Sequence, residues 1–326
     1  MKKKIFALAL GLVMALTAFT ACGKDEVKLT TTAPAGEEQQ NEATGGTKRV
    51  ALVMSHLTNA FTTTFSEAAK EEAESIGVDL TVFDGKKDVA TQIDQIESCI
   101  AQGYDGIMVE PVSVDGIIPA VKKANEADIP VLAVIQKMSD QSLAAGYVGG
   151  NDKGAGKLEM EKAVEALGGK GSIAVLYGPM GSDAQLIRKE GYDEVLADYP
   201  DVKIVFEQTA NWVTDEALKI TENWLASGTG IDAIVSQNDS MAIGAAKAIS
   251  DAGKTESIPV YGVDATPDGL DAIEKGTMSG SVSQDTAGMG RLSVQTIVKV
   301  LDGEAVEDEV LTQAIWVTKE NVAEFK

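Results

Sequence analysis

From residue 48 onward, short apolar runs alternate with stretches in which apolar side chains recur every three or four positions. The runs predict strands and the recurrences predict helices. Strands are expected at 48–54, 78–83, 106–109 and 130–135, with helices at 60–76, 89–101 and 114–127 between them. Gly77 and Gly103 stand where the first two helices should stop, and Ile93, Ile96 and Ile100 form the apolar stripe of the second. A second series follows, with strands at 172–177, 202–206, 233–236, 259–263 and 280–282. Its helices are expected at 152–167, 183–197, 214–226, 240–252, 267–275 and 287–301. Apolar strands that alternate with helices belong in parallel sheets covered on both faces. Two such series imply an α/β protein of two doubly wound parallel-sheet lobes.

Before residue 48 the pattern changes. Residues 2–4 are lysines and residues 5–19 form an apolar run. That run is short for a membrane span of about 20 residues, but it fits the core of a secretory signal. It ends in Phe19-Thr20-Ala21-Cys22, and small residues just before a cysteine resemble the bacterial lipobox. The plainer alternative is an ordinary secretory signal with an incidental cysteine. The expectation is a signal peptide over 1–21, then Cys22 as the lipid-bearing residue at the head of a linker through 47. That linker is rich in Thr, Gly, Ala, Glu and Gln and has too little apolar surface to fold. No later apolar run reaches 18 residues, so membrane contact is expected through the lipid alone.

Charge and rare residues narrow the chemistry. The 326 residues hold 28 Lys and Arg against 50 Asp and Glu, a net charge of −22, which is the opposite of a nucleic-acid-binding footprint. Two cysteines and one histidine exclude a disulfide framework and a Cys/His zinc site. Cys99, between apolar positions of its helix, reads as a buried thiol, and His56 as a rim or loop residue. No G-x-S-x-G motif or calcium-loop pattern occurs, and Gly168–Ser172 lacks phosphate-loop spacing. Neither an enzyme nor a cofactor-dependent protein is expected.

Ligands of doubly wound sheets bind beyond the carboxyl ends of the strands. There the chain places Asn59 and Phe61 after the first strand, Glu110 after the third and Gln136 after the fourth. The second series adds Trp212, Asn238, Asp264 and Gln284. This mixture suits a sugar or another polyhydroxylated solute. Each hydroxyl both donates and accepts, an Asn or Gln side chain offers both roles, and a carboxylate accepts from two hydroxyls. The C–H faces of a sugar ring pack on flat aromatic surfaces. Of the adjacent pair, Asp239 is expected to cap the following helix, which frees Asn238 for the ligand. Asp264 could instead cap the turn before Pro267, and Glu110 could be an ordinary loop carboxylate.

Several of these segments resemble a known family. They are Thr58-Asn-Ala-Phe61, Ile129-Pro-Val131, Arg188-Lys-Glu-Gly-Tyr192, Ser236-Gln-Asn-Asp-Ser-Met-Ala-Ile-Gly244 and Gly262-Val-Asp-Ala-Thr-Pro-Asp-Gly269. From about Lys48 to its end the chain is similar to type I periplasmic substrate-binding proteins, near the ribose- and galactose-binding group that serves ABC importers. The resemblance implies two lobes joined by three strands, with crossings near Gly150-Asn151, near Gln284 and near Leu311-Thr312. The lobes would then be 48–150 plus 285–311 and 151–284 plus 312–326. It implies that Phe61 and Trp212 sandwich the ligand and that Asn59 belongs to the same site. Asn238, Asp264 and Gln284 would bind hydroxyls, and Arg188 would either clamp a hydroxyl or be structural. The chain departs from the ribose group at Ile135-Gln136, where that group has Asp-Arg, and at Leu186, where it has a second arginine. Glu110 stands where Asn is frequent. These departures argue against ribose and leave another aldose, a cyclitol such as inositol, or a nitrogen-bearing ligand. The function implied is a monomeric receptor, lipid-anchored outside the cytoplasm, that hands its ligand to an ABC permease. A sensory module for a chemoreceptor or histidine kinase would share the fold.

Overall fold

The computed structural model describes residues 46–326. The expected signal segment, Cys22 and most of the linker lie outside the described residues. The chain begins with β1 (Arg49–Met54), α1 (Ala60–Ser75), β2 (Asp79–Asp84), α2 (Val89–Ala101), β3 (Gly106–Val109), α3 (Ile118–Glu126), β4 (Val131–Val134) and β5 (Tyr147–Gly150). It continues through α4 (Asp152–Ala166), β6 (Gly171–Tyr177), α5 (Asp183–Ala197), β7 (Val202–Thr209), α6 (Thr214–Ala226) and β8 (Ala233–Ser236). Next come α7 (Asp239–Asp251), β9 (Val260–Asp264), α8 (Pro267–Lys275) and β10 (Gly280–Ser283), then α9 (Thr286–Leu301), β11 (Glu309–Thr312) and β12 (Ile315–Val317).

Two sheets result, ordered β2-β1-β3-β4-β5-β11 and β7-β6-β8-β9-β10-β12. Every pairing is parallel except β12 on β10. The two-lobed α/β architecture predicted from the pattern is therefore present. The chain passes between the sheets between β5 and α4, between β10 and α9, and between β11 and β12.

Strand alternation explains how each sheet is covered. Ala51, Val53, Ile107, Val109, Val131 and Ala133 face one side, where Ile96 and Cys99 of α2 and Val121 of α3 pack. Val50, Leu52, Met54, Met108, Leu132 and Val134 face the other, against Phe65 of α1 and Ile297 of α9. The period of two thus feeds two apolar layers from one continuous run. The second sheet repeats the device. Leu176, Ile234 and Val260 pack against α6, α7 and α8, while Ile173, Val175 and Val235 pack against α4 and α5.

Some boundaries differ from the sequence expectation. Helix α3 starts at Ile118 rather than 114, because Pro119 suits the first turn and Ser113 Oγ closes a preceding turn by accepting from Gly116 N at 3.1 Å. Strand β7 runs on to Thr209, three residues beyond the apolar run. Strands β5, β11 and β12 carry glycines or exposed positions in place of a clear apolar run. Among the described residues, no helix is long and apolar enough to cross a membrane.

Candidate functional site

In each sheet the chain starts in the middle, fills one side, then reverses to the other. Strands β1 and β3 are neighbours, as are β6 and β8, and the connections leaving them diverge. Such switch points open crevices at the strand ends. Residues from both sets of loops line one cavity of about 570 Å³, counting the space open at its mouth. Every residue singled out from the sequence lines it: Asn59, Phe61, Glu110, Gln136, Arg188, Trp212, Asn238, Asp264 and Gln284. So do Thr62, Ile135, Asp152, Ala184 and Met289, which the sequence reading missed. They sit on helix faces or at an apolar strand end, where nothing in residue type marks them.

Two of the site residues also begin helices. Asn59 Oδ1 accepts from Thr62 N at 2.9 Å, and Asn238 Oδ1 accepts from Met241 N at 3.0 Å. Each cap occupies the carbonyl oxygen and leaves the Nδ2 donors without a partner among the described residues. The expected division of labour between Asn238 and Asp239 is therefore wrong. Asn238 caps α7, while Asp239 is buried and accepts from Ser281 Oγ at 2.6 Å and Thr266 N at 2.7 Å. It ties α7 to β10 and to the start of α8. Thr266 caps α8 by accepting from Gly269 N at 3.1 Å, so Asp264 has no capping role. Asp264 instead accepts from Gln284 Nε2 at 3.0 Å.

Arg188 is buried at 5% exposure. Its Nε and Nη2 donate to Asp152 Oδ1 at 2.9 and 2.8 Å, and its Nη1 donates to the Gln237 carbonyl. The guanidinium carbon lies 5.7 Å from the Trp212 ring centroid. Helices α4 and α5 bring the ion pair together by packing backbone against backbone. A Cβ at Gly156 would collide with the Arg188 carbonyl, and one at Gly191 would lie 2.6 Å from the Lys153 carbonyl. Trp212 reaches over the end of β6 because Gly178 has no Cβ in its path.

On the opposite wall Glu110 accepts from Ser55 N at 2.9 Å. Its loop is pinned by Gln92, which donates to the Glu110 carbonyl at 2.7 Å and accepts from Val112 N at 2.8 Å. Burial pushes the Glu110 carboxyl up to about 7, against hydrogen bonds from Ser55 and Gln136. His56 is a loop residue, as expected, between β1 and α1. It lies buried in the cavity wall, with Nδ1 at 2.9 Å from Ser55 Oγ and Nε2 without a partner. Burial, with help from Lys87, lowers its pKa to about 4. Burial also raises Asp264 well above the usual carboxylate range, although Arg188 opposes the shift.

Backbone strain collects around the same cavity. Ile135, Trp212 and Asp264 have φ of 65°, 62° and 117°, a region that side chains with a Cβ rarely adopt. Tyr147 Oη holds the first of these bends by donating to the Ile135 carbonyl at 2.8 Å. The result is a set of aimed donors, acceptors and rings. Among the described residues, no group of three or more His, Cys, Asp or Glu is placed to hold a metal ion.

Comparison with known proteins agrees with this architecture. The periplasmic binding protein domain family matches residues 50–305. A xylitol-binding protein of Mycolicibacterium smegmatis is 37% identical over 86% of this chain and 80% of its own length. A putative rhizopine-binding protein of Rhizobium meliloti is 35% identical over 84% of this chain and 91% of its own. The crystal structure of an ABC transporter solute-binding protein from Bacillus halodurans, with bound myo-inositol, superposes with a TM-score of 0.82. It is 34% identical and covers 86% of this chain and 97% of that one. With two parallel-sheet lobes, a cavity at their strand ends and these relatives, the chain belongs to the type I periplasmic binding proteins and is a binding protein rather than an enzyme.

Proposed function

We propose that this protein captures a sugar or related polyol in the cavity between its lobes, outside the cytoplasm, and delivers it to an ABC permease. The observation that carries this reading is the convergence of amides, carboxylates and aromatic rings from both lobes on one cavity. Phe61 and Trp212, from opposite lobes, offer flat surfaces to the C–H faces of a ring. Asn59 and Asn238 offer Nδ2 donors, while Asp264 and Gln284 offer acceptors. The strained, hydrogen-bonded strand ends fix these groups before the ligand arrives, which lowers the entropic cost of binding. The relatives named for xylitol or solved with myo-inositol support a polyol as ligand.

In this reading, residues 48–150 with 285–311 and residues 151–284 with 312–326 are the halves that close on the solute. Cys22 carries the lipid that holds the monomer at the membrane, and no cofactor or nucleic acid takes part. A thermal-shift screen over sugars, cyclitols, nucleosides and amino sugars tests the proposal. A bound ligand at a hundred times its Kd stabilises by about 2.7 kcal/mol. At least one polyol is expected to raise the melting temperature. A screen in which every sugar and cyclitol leaves it unchanged contradicts the proposal.

A further inference from the structure

We infer that the solute selected by this cavity carries an ammonium group beside its hydroxyls, and that Glu110 receives it. This rests on the solute-binding reading above and narrows its ligand class. The starting observation is that the charges around the cavity do not balance. Three carboxyl side chains line it, those of Glu110, Asp152 and Asp264, against one guanidinium, that of Arg188. Arg188 is committed: Asp152 takes its Nε and Nη2, and the Gln237 carbonyl takes Nη1. Asp264 lies in the field of that guanidinium and holds the amide of Gln284.

Glu110 stands in the other lobe with no cation paired to it among the described residues. The Ser55 amide donates to it, and the side chains of Ser55 and Gln136 beside it are neutral. His56, which lines the same wall, is kept neutral by burial. A carboxyl that is 3% exposed and lacks a counter-charge either keeps its proton or is met by a cation. Its pKa near 7 means that it sits between these states at neutral pH. An arriving ammonium needs to displace little to make it a carboxylate.

The second observation is the unpartnered Nε2 of His56, on a side chain that is 7% exposed. Nδ1 of His56 shares a hydrogen bond with Ser55 Oγ, and in the tautomer protonated at Nδ1 the free Nε2 is an acceptor. An ammonium brings three N–H donors where a hydroxyl brings one. This wall therefore offers acceptors, one of them ionisable, in excess of what hydroxyls use.

Calorimetric titration with two matched pairs tests the inference: myo-inositol against an aminodeoxyinositol, and xylitol against 1-amino-1-deoxyxylitol. In at least one pair the amine is expected to bind about tenfold tighter or more, as a charge-assisted bond in a buried site allows. Glu110→Gln is expected to bring that ratio close to one, with an unchanged melting transition showing that the variant is folded. Asp264→Asn is expected to weaken both members of the pair alike. Equal or tighter binding of the neutral member in both pairs overturns the inference and leaves the polyol reading standing. So does an amine preference that survives Glu110→Gln or disappears with Asp264→Asn. If no member of either pair binds, the inference is overturned, and the wider thermal-shift screen alone decides the polyol reading.

Discussion

Trp212 holds its place by a local bargain: a left-handed backbone at φ 62° turns the ring across the end of β6, where Gly178 leaves room. The ring is half-buried, packing in part against the apolar core of its lobe and in part lining the cavity. Trp212→Ala is therefore expected to weaken polyol binding about tenfold or more, as loss of an aromatic anchor does, while the protein still folds. Calorimetry checks this, and an unchanged affinity contradicts the assignment. Protonation supplies a second prediction at this scale. Glu159, which accepts from Ser236 N at 3.1 Å and from the Tyr192 hydroxyl, is pushed by burial from 4.5 up to about 8. Between those values the folded protein binds more protons than the unfolded chain, so the stability due to Glu159 falls as pH rises from about 4.5 through 8. Melting temperatures of Glu159→Gln and the native protein should differ more in the variant's favour at pH 8 than at pH 5. A pH-independent difference contradicts this account. Single residues also mark where sequence reading stops. Asn238 and Asp239 are adjacent and both suit a helix start, and only their environments separate them. Asn238 does the capping from the cavity wall, and Asp239 is enclosed by Ser281 and Thr266 from two other elements. Asp152 was invisible for a similar reason: its meaning comes from Arg188, which lies 36 residues away.

At the scale of elements, the strands were legible where a continuous run of apolar side chains fills both faces. Runs such as 106–109 and 233–236 match β3 and β8 because every residue in them feeds an apolar layer. Helices α2, α5, α6 and α8 begin and end where the pattern predicts; α2 and α8 are bounded by the caps Asp88 and Thr266 and by Gly103 and Gly276. Strands β5, β11 and β12 were not: β5 ends in two glycines, β11 is largely exposed, and β12 is an apolar run of only three residues. Close contact of α4 with α5 was equally hidden. It depends on Gly156 and Gly191, which from sequence alone look like helix weaknesses. Gly156→Ala should force these helices apart, since the added methyl meets the Arg188 carbonyl. Overpacking of this kind costs about 1–3 kcal/mol. Urea unfolding measures the loss, and a variant as stable as the native protein contradicts the packing described here.

The whole molecule is two repeats of one design, set so that their strand ends share a cavity. The position of that cavity could be anticipated, because doubly wound sheets bind at switch points whatever their ligand. The ligand itself could not, because it is set by which groups stay unpaired after caps, ion pairs and strand ends have taken their share. Outside the described residues, Cys22 carries the proposal of a lipid anchor. Cys22→Ser is expected to move the protein from the membrane fraction to the soluble fraction on cell fractionation. Continued membrane association of the variant counts against the anchor.

The central claim is that one polyhydroxylated solute is gripped between the lobes. A crystal structure of the protein with the polyol that most raises its melting temperature tests this directly. The account predicts ring density between Phe61 and Trp212, with hydroxyl groups within hydrogen-bonding distance of Asn238 and Asp264. Density at any other place on the molecule, with this cavity holding only water, contradicts it.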